Sequence, residues 1–329
     1  VVERVDELFR AVQGRRIAVV GDLMVDRYFW GEIERISPEA PVPVMEVISD
    51  DVSFGGAANV VNNLAQLGAA PVPFGLVGID DHAIQLKNKF RELNVATDCI
   101  FADSERPTTV KTRVIARNQH ILRLDRESQE DMPPALEEAM IERFKEMAPE
   151  LDAVIFQDYN KGVVTGRIIR EIVDLARNNN LCISVDPKFH NFFQYQGVTI
   201  FKPNVKETEA AMMAKIRNDD DIRNLGRMIF KRIEPRYLLI TRGAKGLTLF
   251  EGPDSEPVNH KTRARKVHDV SGAGDTVIAA LTAFFCSGAD ISTSAVIANY
   301  AAGAVCEDVG VVPIEKERLY NILLQAGKC

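Results

Sequence analysis

Apolar residues follow two rhythms along this chain. From residue 150 onward, short runs such as "DAVIF", "LCISV", "VTIF", "YLLIT" and "LTLF" alternate with longer stretches of helical period. An earlier run, "RRIAVV", follows an amphipathic opening, "VVERVDELFRAV". Short apolar runs alternating with amphipathic helices mark βαβ units and hence a mainly parallel sheet. The expected class is α/β.

Between residues 26 and 54 the pattern changes to "DRYFWGEIERISPEAPVPVMEVISDD", which is punctuated by proline, rich in β-branched residues and without helical period. A second stretch, 106–125, alternates as two strands about a turn near Arg117 and Asn118. Two ribbons inserted among βαβ units predict a small sheet over one edge of the main one, a candidate lid. The stretch "DRESQEDMPPALEEAMIERFKEM" reads as a surface loop and a solvated helix.

Several strand ends carry polar residues. "IAVV" runs into Asp22, "AVIFQ" into Asp158, "CISV" into Asp186, "TIFKP" into Asn204 and "YLLI" into Thr241, Arg242 and Gly243. Each could cap the helix that follows. Five on one edge favour a site, because open α/β sheets bind ligands outside the carboxyl ends of their strands.

Composition narrows the ligand. A net charge of −7 opposes a general nucleic-acid binder, whose surface needs excess Lys and Arg, so a small polar ligand is expected. No apolar run reaches the roughly 20 residues of a membrane helix. Five scattered cysteines without a CxxC pair, and five histidines without HExxH, point to neither a disulfide framework nor a zinc site, and the cytoplasm is the expected home.

Two glycine clusters carry candidate chemistry. "HDVSGAGDTVIAALTAF" lacks the GxxxxGK of a Walker loop, and Val277 stands where a Rossmann fingerprint needs its third glycine, which argues against a nicotinamide-dependent dehydrogenase. Gly272, Ala273 and Gly274 can instead turn N–H groups toward an anion at a helix start. Asp275 then lies in the first helical turn, either as a charge that suits the dipole or as a base for an attacking hydroxyl. The second cluster, Gly55 and Gly56 before a helix with Asn59, permits close approach of backbone to a sugar.

In this order, Gly55-Gly56 with Asn59, the early "GD", "PNVKETE" at 203–209, "TRGAKG" at 241–246 and "DVSGAGDT" at 269–276 resemble the ribokinase-like (PfkB) sugar kinases. That resemblance implies a three-layer sandwich with a mainly parallel central sheet and a β-lid, as one kinase domain over 1–329. "RISPEAPVPV", "RNQHILRLD", "DYNKG" and "VDPK" look within it like the D-glycero-β-D-manno-heptose-7-phosphate kinases. A known bifunctional form continues into a nucleotidyltransferase domain, which this sequence lacks, so kinase activity alone is expected. Another sugar or sugar-phosphate kinase, for fructose phosphate or ribose, is the alternative. A non-catalytic sugar-phosphate sensor is disfavoured because Asp275 and Glu207 are both present.

Residue by residue, the resemblance implies Asp275 as base and Gly272 to Gly274 as anion hole. ATP and Mg²⁺ would be organised by Asn204, Val205, Lys206 and Glu207, with Thr241, Gly243 and Gly246 beside the nucleotide and Asn299 near adenine. Asp22, Asp26, Gly55, Gly56 and Asn59 would hold sugar hydroxyls, and Lys111 and Arg113 would close over them. Asp158 and Asp186 stand at strand ends in the same site. A substrate that already bears a phosphate needs fixed cations, for which Lys161, Lys188 and Arg117 are the candidates. Asp269, with carbonyls around 305–310, is the candidate for a monovalent cation such as K⁺. Membrane and nucleic acid are not expected partners, and a homodimer through the lids is.

Overall fold

A computed structural model describes residues 2–117, 119–262 and 268–327. Asn118, one half of the expected lid turn, lies outside them. In chain order the elements are α1 (Val2–Val12), β1 (Arg16–Gly21), β2 (Leu23–Ile36), β3 (Pro43–Gly56), α2 (Ala57–Gln66), β4 (Ala70–Gly78), α3 (Asp81–Glu92) and β5 (Ile100–Asp103). There follow β6 (Thr109–Ala116), β7 (Gln119–Arg126), α4 (Pro134–Met147), β8 (Ala153–Gln157), α5 (Gly166–Asn178), β9 (Cys182–Asp186) and β10 (Ile200–Phe201). The chain ends with α6 (Val205–Met212), α7 (Asp219–Ile233), β11 (Tyr237–Thr241), β12 (Leu247–Phe250), β13 (Val258–His260), α8 (Ala273–Cys286), α9 (Ile291–Val305) and α10 (Lys316–Ala326).

The main sheet runs β13-β12-β11-β10-β9-β8-β1-β4-β5 and is parallel from β11 to β5. Alternation along β1 sets the layers: Ile17 and Val19 enter the core on the α2 and α8 face, while Ala18 and Val20 enter the core on the α4 and α5 face. Both faces are covered, which is why these strands read as unbroken apolar runs. From β1 the chain moves outward to β4 and β5, then returns to β8 on the other side. Crevices at such reversals are where open α/β sheets bind ligands.

The second sheet, β3-β2-β6-β7, is the expected lid. Its β2–β3 and β6–β7 pairs are antiparallel, and β2 and β6 join in parallel. Arg117 takes φ 48° at the β6–β7 turn.

Strands β4, β5 and β13 were not legible in the apolar rhythm. β4 carries Pro71 and Pro73, which discourage a strand reading, yet both lie before Gly75, where pairing with β5 begins. α4 differs from the expected solvated helix, because Met140, Ile141 and Phe144 are buried against the sheet.

α8 is buried along nearly its whole length and mostly apolar after its first turn, as suits a helix enclosed by sheet and helices. Phe284 near its end meets Phe9 of α1 edge to face, with ring centroids 5.1 Å apart. Phe284→Ala should lower unfolding stability by about 3–5 kcal/mol in urea titration. A loss under about 1 kcal/mol would show that this helix is not fixed by its packing.

Candidate active site

The head of α8 faces the carboxyl ends of β1, β8, β9 and β10, and Asp275 in its first turn is only 4% exposed. Three side chains donate to its carboxylate. Asn59 Nδ2 reaches Oδ2 at 2.9 Å, while the Tyr159 hydroxyl and Gln157 Nε2 reach Oδ1 at 2.8 and 3.1 Å. Burial pushes this carboxyl up from 3.8 to about 6; Asn59 and Tyr159 pull against that rise, Asp186 adds to it and Lys202 opposes it. A carboxylate so balanced can take a proton near neutral pH.

Of the amides expected to face an anion, one is already engaged. Ala273 N–H already donates to the Val270 carbonyl at 3.3 Å, leaving the amides of Gly274 and Asp275 without an acceptor inside the helix. Gly272 holds φ 78° and lies so close to α2 that a Cβ there would stand 2.8 Å from Asn59 Nδ2. At Gly274 a Cβ would meet only Lys202 Nζ at 3.8 Å and Asp186 Oδ2 at 3.9 Å. This glycine keeps open a space bounded by helix amides, an ammonium and a carboxylate.

Lys202 is 1% exposed and stands 3.0 Å from Asp186. In the sequence "TIFKP" reads as a strand end running into Asn204, which does not single out this lysine. Asn204 caps α6 in a capping box, accepting from Glu207 N–H while Glu207 Oε2 accepts from Asn204 N–H at 2.8 Å. Lys188 donates to the other Glu207 oxygen. Burial, reinforced by Asp186, holds Glu207 above the usual carboxyl value.

Beside this cluster a cleft of about 270 Å³ is lined by Asn204, Thr241, Gly243, Gly246, Gly274 and Asn299, among others. Asn204, Thr241, Gly243, Gly246 and Asn299 are among the residues expected at the nucleotide, and Leu247, Val270, Val277 and Ala302 add apolar wall. Asn299 donates to the Lys261 carbonyl at 2.7 Å. Val205 and Lys206 do not join it: Val205 packs toward the α4–α5 core and Lys206 is exposed, because on α6 they turn away from the capped end.

On the lid side, Arg113 donates to Asp26 at 2.6 Å, and burial lifts Asp26 above its usual range despite that partner. Gly55 makes room for Asp26, whose Oδ2 would lie 2.8 Å from a Cβ there, and Gly56 starts α2. Lys111 and Lys188 lie over the ring of Tyr159, 5.4 and 4.9 Å from its centroid. Lys161 pairs with Glu127 at 2.5 Å.

Four expected substrate contacts take other places. Asp22 accepts from the amides of Tyr159, Lys161 and Val163 at 2.7 to 3.2 Å, anchoring the loop after β8. Burial, with Asp158 nearby, raises it to about 6. Asp158 likewise accepts from Asn160 N–H, Asn191 and Tyr195 at 2.8 to 3.1 Å. Asn59 is fully buried, and its amide serves Asp275 and Asn63 rather than a hydroxyl pair. Arg117 is exposed at the far tip of β6, about 20 Å of strand beyond Lys111.

Asp269 accepts from Ser271 N–H at 2.9 Å and Gly310 N–H at 3.2 Å, joining the α8 loop to the segment after α9. Among the described residues no group of three His, Cys, Asp or Glu is placed to hold a metal, and no helix is long and apolar enough to cross a membrane. The four described cysteines are free.

A doubly covered parallel sheet, a lid and a buried carboxylate in the first turn of a helix at the strand ends define a ribokinase-like α/β protein. The chain belongs to the pfkB family of carbohydrate kinases, whose model matches residues 15–317. It is 38% identical over 98% of its length to the bifunctional protein HldE of Pelobacter propionicus, covering 66% of that protein. Against the HldE of Desulfatibacillum aliphaticivorans it is 40% identical over 92% of its length, covering 62% of that protein. The chain thus spans just under two thirds of these relatives. Among solved structures, Arabidopsis thaliana ribokinase complexed with ribose and ATP aligns at TM-score 0.74 and 17% identity, over 94% of this chain and 99% of that one. Escherichia coli phosphofructokinase-2 with substrates and products aligns at TM-score 0.75 and 17% identity, over 95% and 99%.

The raised value of Asp275 has a thermodynamic sign. The folded state holds this proton more tightly than the unfolded chain, so the penalty of the ionised form is complete above about 6 and fades as pH falls toward 3.8. Asp275→Asn should therefore unfold later than the native chain at neutral pH, by on the order of 2 kcal/mol, with the gap closing in acid. Melting curves across that window check it, and a constant gap would contradict the burial argument.

Proposed function

We propose that this chain transfers the γ-phosphoryl group of ATP to the anomeric hydroxyl of D-glycero-β-D-manno-heptose 7-phosphate, giving the 1,7-bisphosphate used to make ADP-heptose for lipopolysaccharide cores. The observation that carries the reading is Asp275, a buried base at a helix head between a nucleotide-sized cleft and a group of lysines. The heptose is supported by the phrases "RISPEAPVPV" and "RNQHILRLD" and by relatives named as bifunctional HldE proteins.

Asp275 takes the proton of the acceptor hydroxyl, whose oxygen forms the new bond to phosphorus while the bond from phosphorus to the bridging oxygen breaks and ADP leaves with that electron pair. The amides of Gly274 and Asp275 face the moving phosphoryl group, and Lys202 adds a fixed charge in a place with little water. Asn204 and Glu207 stand where the remaining phosphates emerge from the cleft. The buried carboxylate of Glu207 fits Mg²⁺ held mainly by phosphate oxygens, and such an ion would offset their charge. Asp269 with the carbonyls of 305–310 is the site we assign to a monovalent cation.

Lys111, Lys161 and Lys188 cluster about Tyr159 and meet the phosphate the acceptor brings. The lid would also serve assembly: Val47, Ile48, Ile121, Leu122 and Leu124 are exposed on it, and β7 is an open edge. Covering them in a homodimer through the lids removes that apolar surface from water, and a cytoplasmic location suits the free thiols.

ADP release should be fastest with heptose 7-phosphate in a panel that includes fructose phosphates and ribose. Asp275→Asn should lower kcat by about 10²–10⁴-fold with ATP binding retained, and near-normal turnover would remove the assignment. Sedimentation at micromolar protein should show a dimer that Leu122→Asp dissociates, whereas a monomeric native chain would rule the lid interface out.

A further inference from the structure

The three donors on Asp275 are unevenly shared. Oδ1 accepts from both Tyr159 and Gln157, at 2.8 and 3.1 Å, whereas Oδ2 accepts only from Asn59 at 2.9 Å. Each carboxylate oxygen offers about two lone-pair sites, so Oδ1 is full and Oδ2 keeps one for an incoming proton. Which oxygen acts is thus decided by Tyr159 and Gln157.

Tyr159 is also the residue on which the lysines converge. Lys111 comes from the lid strand β6 and Lys188 from the loop after β9, and both ammonium groups lie near its ring, at 5.4 and 4.9 Å. Its own backbone N–H donates to the buried Asp22 at 2.7 Å, which ties the main chain at Tyr159 to the residue that follows β1. Burial holds Lys111 below the usual lysine value, with Lys161 adding to the effect and Asp26 and Glu127 opposing it. An anion arriving there would oppose that downward shift.

Building on the function proposed above, we infer that Tyr159 is a positioning residue that couples acceptor recognition to the base. Its ring carries the two lysines that meet the acceptor's phosphate, and its hydroxyl leaves Oδ2 of Asp275 as the oxygen that takes the proton. An acceptor without a phosphate forgoes the attraction of Lys111 and Lys188 and is bound less well. The charged and polar groups facing Asp275 from every packed element are Asn59 of α2, Gln157 and Tyr159 at the end of β8, Asp186 of β9 and Lys202 after β10.

The test compares Tyr159→Phe, which keeps the ring, Tyr159→Leu, which removes ring and hydroxyl, and Tyr195→Phe. Tyr195 is a buried tyrosine whose hydroxyl donates to Asp158 at 3.0 Å, and its variant reports a purely structural hydroxyl loss. The full chain is assayed by ADP release with heptose 7-phosphate over a pH series, alongside melting temperature. Tyr159→Phe should lower kcat by about tenfold or more with KM for the acceptor within about twofold of native. Its acid limb should move to higher pH, because the lost hydroxyl had favoured the ionised carboxylate. Tyr159→Leu should in addition raise acceptor KM by about tenfold, while Tyr195→Phe should lower only the melting temperature.

A Tyr159→Phe enzyme with native kcat and an unmoved limb overturns the inference, as does a shift that Tyr195→Phe reproduces. A native chain silent on heptose 7-phosphate but active on another sugar of the panel overturns the acceptor alone. The variants are then compared on that sugar, where an unmoved limb overturns the role of Tyr159. A native chain silent on every sugar overturns both.

Discussion

A carboxylate placed at the head of a buried, mostly apolar helix is the constraint around which this molecule is arranged. α8 cannot shift without opening the core that Phe9 and Phe284 help to close, so Asp275 sits where helix packing puts it. Water is largely excluded there, and an ion without water needs donors aimed at it. They come from α2 and from the end of β8, elements nearly 100 residues apart in sequence. The ladder from Asn59 to Asn63 and on to Thr276 ties the same helix head to α2, with Asn63 also accepting from Ile314 N–H at 3.0 Å. Scaffold and site are thus the same set of hydrogen bonds.

Opposite charges are interleaved around that point. Asp186 pairs with Lys202 and Glu207 with Lys188, so the crevice holds carboxylates and ammonium groups within a few bond lengths of one another. Such pairing limits the repulsion that Asp275, Asp186 and Glu207 would exert together, and it leaves cations available to a phosphate-bearing ligand. The lid adds Arg113 and Lys111 from one strand, two residues apart and therefore on one face.

What the sequence made legible was whatever is local. Six strands of the main sheet, the two lid ribbons and the polar strand ends could be found because period, proline and glycine report on neighbours a few residues away. The same local signals misjudged partners. Asp22 and Asp158 were rightly placed at strand ends, but both turn inward to hold the loop after β8, a fact set by amides that the fold brings to them. Asn59 serves another side chain more than 200 residues away. Gln157, Tyr159 and Lys202 went unnoticed because their importance lies in contacts across the sheet. Arg117 was drawn to the site by charge, although strand length carries it to the tip.

The strand order carries a consequence for how the protein is made. β1 is flanked by β4 on one side and β8 on the other, and β8 arrives some 130 residues later in the chain. While a ribosome is still short of residue 157, β1 has one open edge, and the lid hairpins can close before the crevice they cover has a floor. At about 5–20 residues per second this exposed interval lasts roughly 7–26 seconds. The apolar "IAVV" of β1 then has one unpaired edge of the kind that invites aggregation, which is the cost of placing a crevice at the reversal of the sheet.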